Sequence, residues 1–153
     1  LDYRLEKSKE FGATHPVNPY KENLEEAVNE ITGGVGPDVV VEAAGYPDTF
    51  NLCLKLVRQF GTAIIFGVQT QDFIPLEHNW LMEKQHHIIQ TTVARSGNPI
   101  AHIQEIVALR ERGWCDPAKL ITHRIGFSEV QKAYDMYDQR QDNVIKVVMN
   151  LNE

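Results

Sequence analysis

The sequence contains few cysteines, and their spacing does not suggest a pair. Among 153 residues there are two, Cys53 and Cys115, which lie far apart with no CxxC spacing. Small secreted scaffolds held together by disulfides need more cysteines at closer spacing. The first residues also show no signal-peptide pattern. We therefore expect a cytoplasmic protein, and, because Leu1 falls inside an amphipathic pattern, a piece of a longer chain.

Long apolar runs and basic clusters are also absent from the sequence. No apolar run approaches the roughly 18 residues that suggest a membrane-spanning helix. Fifteen lysines and arginines stand against 21 aspartates and glutamates, which gives a formal net charge of −6. Nucleic-acid-binding domains usually carry basic patches instead. We expect neither a membrane nor a nucleic acid as a partner.

The glycines do not form a phosphate-binding loop. Gly33, Gly34 and Gly36 follow a predicted helix and precede a predicted strand. A dinucleotide-binding loop has the reverse order, strand first and helix second. Neither GxGxxG nor GxxxxGK[ST] occurs in the chain. The cluster is best interpreted as a turn between a helix and a strand.

The sequence predicts neither a metal site nor a catalytic nucleophile. His86 and His87 are adjacent, so they would point to opposite faces of a strand. The combination of His123 with Cys115 does not match a standard zinc spacing. Cys53 falls within an apolar helical segment and is expected to pack. The serines lack a GxSxG context.

Helical and strand patterns alternate along the chain, as in an α/β fold. The helices are predicted over 5–11, 24–31, 47–57, 80–86, 99–112 and 128–137. The strands are predicted around 17 and over 39–42, 62–66, 73–76, 88–93, 121–125 and 144–149. An apolar helical stripe is expected on the segment that follows Pro99.

Small residues follow two of the predicted buried strands. Residues 43–45 (Ala-Ala-Gly) follow the first, and 66–68 (Phe-Gly-Val) follow the second. In open parallel sheets, ligands bind beyond the carboxyl ends of the strands. Residues without bulky side chains would let a flat ring approach the backbone there. The residues alone leave this interpretation open beside a simpler one, in which they only form turns.

Five segments together resemble the carboxyl-terminal part of the medium-chain dehydrogenase/reductase superfamily, the zinc-type alcohol, sorbitol and threonine dehydrogenases. They are 4–13, 36–45, 61–68, 116–124 and 145–148, in the family's order. The resemblance implies an incomplete Rossmann-type, doubly wound parallel sheet without its first strand and glycine-rich loop. Residues 1–153 would then be a partial dinucleotide-binding domain, with a tail that returns toward a missing catalytic domain.

The resemblance also implies how a nicotinamide cofactor would contact the chain on its adenosine side. Asp2 would bind the ribose hydroxyls and favour NAD over NADP, with Arg4 beside the same ribose. Ala44 and Gly45 would lie under the adenosine. Lys146 would lie near the pyrophosphate.

On the nicotinamide side, the resemblance implies two sets of contacts. One flanks the nicotinamide ring, and the other belongs to a strand whose backbone meets the carboxamide. The first set is Phe66, Gly67 and Val68, and the second is Thr91, Thr92 and Val93.

The resemblance implies chemistry that this chain does not perform by itself. The zinc ligands and the proton relay of these enzymes belong to the missing catalytic domain, so zinc is expected in the parent enzyme and not on this chain. The parent would transfer hydride from an alcohol or polyol to NAD, and the fragment would be inactive. A homodimer is expected through 73–76 and 88–93. The alternative is a stand-alone, non-catalytic binding or assembly module that reuses the fold.

Overall fold

The computed structural model describes residues 1–69, 71–91 and 97–152, which divide into two compact units. The first unit comprises Leu1–Asn18 and His102–Glu153, and the second comprises Pro19–Ala101. In chain order the elements are α1 (Asp2–Glu10), α2 (Leu24–Ile31), β1 (Val39–Glu42), α3 (Pro47–Leu56), β2 (Thr62–Ile65), α4 (His78–Lys84), β3 (His87–Gln90), α5 (Pro99–Glu111), β4 (Ile121–Gly126), α6 (Val130–Asp138) and β5 (Lys146–Asn150). Short 3-10 helices occupy Pro117–Leu120 and Phe127–Glu129.

The second unit is built on a three-stranded parallel sheet in the order β1-β2-β3. Val40 lies opposite Ala63, and Ala63 lies opposite Ile88. Parallel strands need crossover connections, and α3 and α4 lie in the two segments that join them. The β-branched content of β1 and β2 suits strands that are covered by helices. The alternation of helices and strands thus gives the predicted Rossmann-like α/β arrangement.

The core of this unit lies between α3 and the sheet. Its buried members are Cys53, Leu54, Ala63 and Ile65, with Val40, Phe50, Trp80 and Leu81 packed against them. Pro47 occupies the first turn of α3, where a missing N–H is not needed. The helix ends at Leu56, and fully buried Val57 follows in an extended conformation.

In the first unit, β4 and β5 form a parallel pair with a register shift between Ile121 and His123. Ala133 and Met136 form the buried face of α6. Val144 is also fully buried. Its carbonyl accepts a hydrogen bond of 2.9 Å from the Tyr3 hydroxyl, which fixes α1 to the segment before β5.

Two of the predicted strands are wrong. The segments around Val17 and over 73–76 have no strand structure. The prolines explain this, because Pro16, Pro19 and Pro75 lack the N–H group that a strand donates to its neighbour. The helix predicted over 128–137 begins as a 3-10 turn, which precedes α6.

The helix after Pro99 is confirmed, but its apolar stripe is not buried in this chain. Ile100, Ile103, Ile106 and Val107 are between 49% and 67% exposed. Among the helices of the described segments, none is long and apolar enough to cross a membrane.

Candidate functional site

The three strands of the second unit end at the same edge of the sheet. Glu42 lies opposite Ile65, and Ile65 lies opposite Gln90. The segments 43–45 and 66–68 and the residue Thr91 therefore emerge side by side. This edge brings together six of the predicted cofactor residues: Ala44, Gly45, Phe66, Gly67, Val68 and Thr91.

The two loops that follow β1 and β2 are in close backbone contact. The amides of Phe66 and Gly67 both donate to the main-chain carbonyl of Glu42, at 2.8 and 2.9 Å. A Cβ on Gly67 would lie 2.4 Å from the amide nitrogen of Gly45. A Cβ on Gly45, where φ is +80°, would lie 2.5 Å from the carbonyl oxygen of Val68. Both positions therefore require glycine because the two loops are so close. A turn by itself would not require glycine at both positions.

The buried carboxylate of Glu42 lies between these loops, and the sequence analysis missed it. Its Oε1 accepts hydrogen bonds from the amides of Ala44 and Gly45, both at 2.8 Å, and from the Thr49 hydroxyl at 2.6 Å. Burial by itself would raise the pKa of Glu42. The hydrogen bonds from Thr49 and from the loop amides outweigh burial, so the pKa lies below its usual value.

Sequence reasoning could have found this carboxylate. A glutamate directly after three valines breaks the apolar pattern of the predicted strand. A charged residue in such a place is rarely left without partners. The small residues and the threonine that follow offer those partners.

Around the carboxylate, the edge presents apolar side chains and main-chain groups. Phe66 and Val68 are 54% and 69% exposed, and Gly67 between them is buried. Thr91 donates to the Ile65 carbonyl from its amide at 2.9 Å and from its hydroxyl at 3.1 Å. Such an edge can accept a flat, partly apolar ligand. The predicted contacts Thr92 and Val93 lie outside the described residues.

Three further predicted cofactor residues belong to the first unit. Asp2 lies in the first turn of α1, and its carboxylate accepts a hydrogen bond of 2.9 Å from the Asn18 side chain. The Arg4 guanidinium donates to the Val144 carbonyl at 3.3 Å. Lys146 begins β5 and lines an open pocket of about 300 Å³ with Tyr134 and Tyr137. Their roles toward a cofactor stay predictions.

No metal-binding cluster and no activated thiol appear in the described segments. Within them, no three His, Cys, Asp or Glu side chains converge as metal ligands. Burial, together with the negative charge of Glu42, raises the pKa of the Cys53 thiol to about 11. At neutral pH this cysteine is a packed thiol rather than a nucleophile.

Sequence comparison relates the chain to known dehydrogenases. Residues 1–110 match the model of a family described as zinc-binding dehydrogenase. An alcohol dehydrogenase of Cupriavidus necator is 29% identical over 149 residues, which cover 97% of this chain and 40% of that protein. A D-arabitol-phosphate dehydrogenase of Enterococcus avium is 30% identical over 150 residues, covering 98% and 41%. The chain thus spans about two fifths of the length of these relatives.

Solved structures show the same relationship. Alcohol dehydrogenase TADH from Thermus sp. ATN1 superimposes with a TM-score of 0.87 at 26% identity, covering 99% of this chain and 42% of that one. Zinc-dependent alcohol dehydrogenase 2 of Streptococcus pneumonia gives 0.83 at 30% identity, covering 100% and 43%. An E. coli CFT073 dehydrogenase solved with NADH gives 0.82, covering 99% and 42%, and at 24% identity it shows the fold alone.

Proposed function

Because this chain belongs to the zinc-binding dehydrogenase family, we propose that it supplies the nicotinamide-cofactor platform of an NAD-dependent alcohol or polyol dehydrogenase. The observation that carries the proposal is the backbone contact between the loops after β1 and β2. That contact leaves no room for a Cβ at Gly45 or Gly67. It lies at the carboxyl edge of a parallel sheet, where ligands of this fold class bind.

The residues of this edge fit the nicotinamide half of a dinucleotide. Phe66 and Val68, on either side of buried Gly67, would offer exposed apolar surface to one face of a ring. When bound, the cofactor would accept or donate the hydride. The chain's own part would be to hold the ring and exclude water from it.

We propose NAD rather than NADP as the cofactor. The carboxylate of Asp2 would accept hydrogen bonds from ribose hydroxyls and repel a 2′-phosphate. Arg4 works in the opposite direction, since a guanidinium binds phosphate well. Kinetics with both cofactors on a full-length enzyme, before and after Asp2→Asn, would test this proposal. Equal or better use of NADP by the unsubstituted enzyme would contradict it.

Zinc and the alcohol substrate would be bound by parts of a longer protein. Among the described residues, no group of side chains is arranged to bind the metal. We therefore propose no role in metal chemistry for this chain. We propose that the longer enzyme works in the cytoplasm, as the unpaired cysteines suggest.

Binding of NADH to the isolated chain tests the proposal directly. Binding is expected to be weak, in the millimolar range, because the glycine-rich loop that binds the pyrophosphate is absent from this sequence. Titration of the ¹⁵N-labelled chain should move the amide signals of 44–45, 66–68 and Thr91. Shifts that leave these residues unaffected, or no shifts at all, would contradict the proposal. A low-micromolar dissociation constant would contradict the fragment interpretation.

We also propose that the chain forms a homodimer through 73–76 and 88–93. All four residues of β3 are exposed, and Ile88 and Ile89 are 44% and 48% exposed. Phe73 is 91% exposed. An isologous contact would cover these apolar surfaces on both copies. Sedimentation at micromolar concentration should give a dimer that Ile89→Lys dissociates, and a monomeric unsubstituted chain would contradict it.

A further inference from the structure

A single buried carboxylate connects the two loops of the proposed cofactor platform. Glu42 is 3% exposed, and one of its oxygens receives the three hydrogen bonds from Ala44, Gly45 and Thr49. Keeping a charge away from water costs free energy that close donors must offset. An apolar side chain could occupy this place without that cost. The role of the Glu42 carboxylate must therefore be to fix the positions of the groups that donate hydrogen bonds to it.

The second carboxylate oxygen faces the other loop. A Cβ on Gly67 would lie 2.4 Å from Oε2. Oε2 is buried and has no hydrogen-bond partner among the residues that the structure describes. The Gly67 amide does not fill this role, since it donates to the main-chain carbonyl of Glu42. One oxygen thus fixes the loop after β1, and the other lies against the loop after β2.

The hydrogen bonds of Glu42 also connect this edge to the start of α3. Thr49 is the third residue of that helix, and its hydroxyl accepts a hydrogen bond of 3.3 Å from the amide of Tyr46. The same carboxylate therefore holds the end of β1, the loop 43–45 and the first turn of α3 in one arrangement. A loop of such short length has little freedom once two of its amides are bound.

We infer that Glu42 is a positioning residue for the cofactor, which fixes the loops 43–45 and 66–68 against each other without touching the ligand. The inference rests on the proposed function, since it assigns a purpose to the contact between two loops against which the cofactor would bind. It differs from a purely structural role in one respect. Removing the charge should loosen the loop and weaken cofactor binding while the β1–β2 pairing persists.

The test compares hydrogen exchange and NADH binding in matched variants of this chain. Glu42→Gln keeps the shape and removes the charge. Thr49→Val removes one donor and keeps the charge, and Thr49→Ser restores that donor. Glu30→Gln makes the same chemical change on an exposed side chain of α2. NADH is added to each ¹⁵N-labelled variant, and its affinity is taken from the amide shifts.

In Glu42→Gln, the amides of Ala44 and Gly45 should exchange faster, and the NADH dissociation constant should rise about tenfold. The amide of Thr62, which donates to the Asp38 carbonyl at 2.9 Å, should keep its protection. Thr49→Val should show a smaller rise, while Thr49→Ser and Glu30→Gln should match the unsubstituted chain. If Glu42→Gln does not fold, the two threonine variants decide the question.

Two results would overturn the inference. One is faster exchange at Ala44 and Gly45 with unchanged NADH affinity, which would make Glu42 a structural residue only. The other is unchanged exchange in both Glu42→Gln and Thr49→Val. A lack of response to NADH in the unsubstituted chain would instead contradict the proposed function, and this inference with it.

Discussion

The ammonium group of Lys84, in the last turn of α4, donates a hydrogen bond of 2.8 Å to the carbonyl of Val57, just beyond the end of α3. It also donates to the carbonyl of Lys55. These carbonyls belong to a helix end whose acceptors need partners from outside the helix. One side chain of α4 thus closes the end of α3. The burial that this requires lowers the pKa of Lys84.

Replacing Lys84 by methionine should destabilise the second unit. The variant leaves the carbonyls of Lys55 and Val57 without their donor, which costs about 1–3 kcal/mol. Chemical denaturation followed by tryptophan emission would measure the loss of stability. The emission of Trp80 reports on this region, because its ring packs against the core and its centre lies 5.6 Å from Lys84 Nζ. Lys132→Met is the matched control, since Lys132 of α6 forms an exposed ion pair with Glu129. An equal effect in both variants would contradict the assigned role.

Alanine at Gly67 should disrupt the platform more than alanine at Gly33. Its Cβ would meet backbone atoms of Gly45 at 2.4 and 2.8 Å, so the two loops would have to separate. A loss of about 1–3 kcal/mol is expected, as for overpacking in a core. Gly33→Ala serves as the control, because nothing lies within 4 Å of a Cβ there, although its φ of +61° adds some strain. If Gly67→Ala cost no more than Gly33→Ala, the loop contact would not be as tight as described.

The pH dependence of stability should report the charge of Glu42. Its pKa is lower in the folded chain than in the unfolded chain, where it is about 4.3. The stabilisation from this group is therefore present above that pKa and disappears as the pH falls through the lower, folded value. Between pH 7 and acid, the unsubstituted chain should lose more free energy of unfolding than Glu42→Gln. If the free energy of unfolding fell equally with pH in the two proteins, the predicted contribution of Glu42 would be wrong.

The two cysteines should react at very different rates with a thiol reagent. Cys53 is 3% exposed with a pKa of about 11, so it offers neither access nor thiolate at pH 8. Cys115 is only partly buried. One thiol per chain should react promptly in the native protein and the second only on unfolding. The Cys115→Ser variant should show no prompt reaction, and a prompt one would place Cys53 outside the core.

The sequence predicted the fold well where hydrophobic pattern and turn chemistry agree. The β-branched run of β1 and the proline that opens α3 both lie where they were expected. The prediction failed at 73–76, a short apolar run in which Pro75 removes a donor. Short apolar segments beside a proline satisfy the strand pattern without the hydrogen bonds that a strand requires.

The candidate site was predictable in part. Gly45 and Gly67 were identified by their place after buried strands and by resemblance. Glu42 was not, because its importance depends on amide groups that converge only once β1 and α3 have folded. Pattern reasoning treats a charged residue as surface, so the break that Glu42 makes in an apolar strand pattern was passed over although it signalled burial.

The outer edge of β1 affects how the isolated chain can be handled. In the described part of the chain, β1 pairs with β2 alone, and Val39 and Val41 are 51% and 55% exposed. Backbone groups on the other side are open to an extended peptide from another molecule. Pairing of β1 with another molecule is a bimolecular reaction, whereas folding of the unit is unimolecular. The yield of refolding should therefore fall as the protein concentration rises, and dilution should recover it.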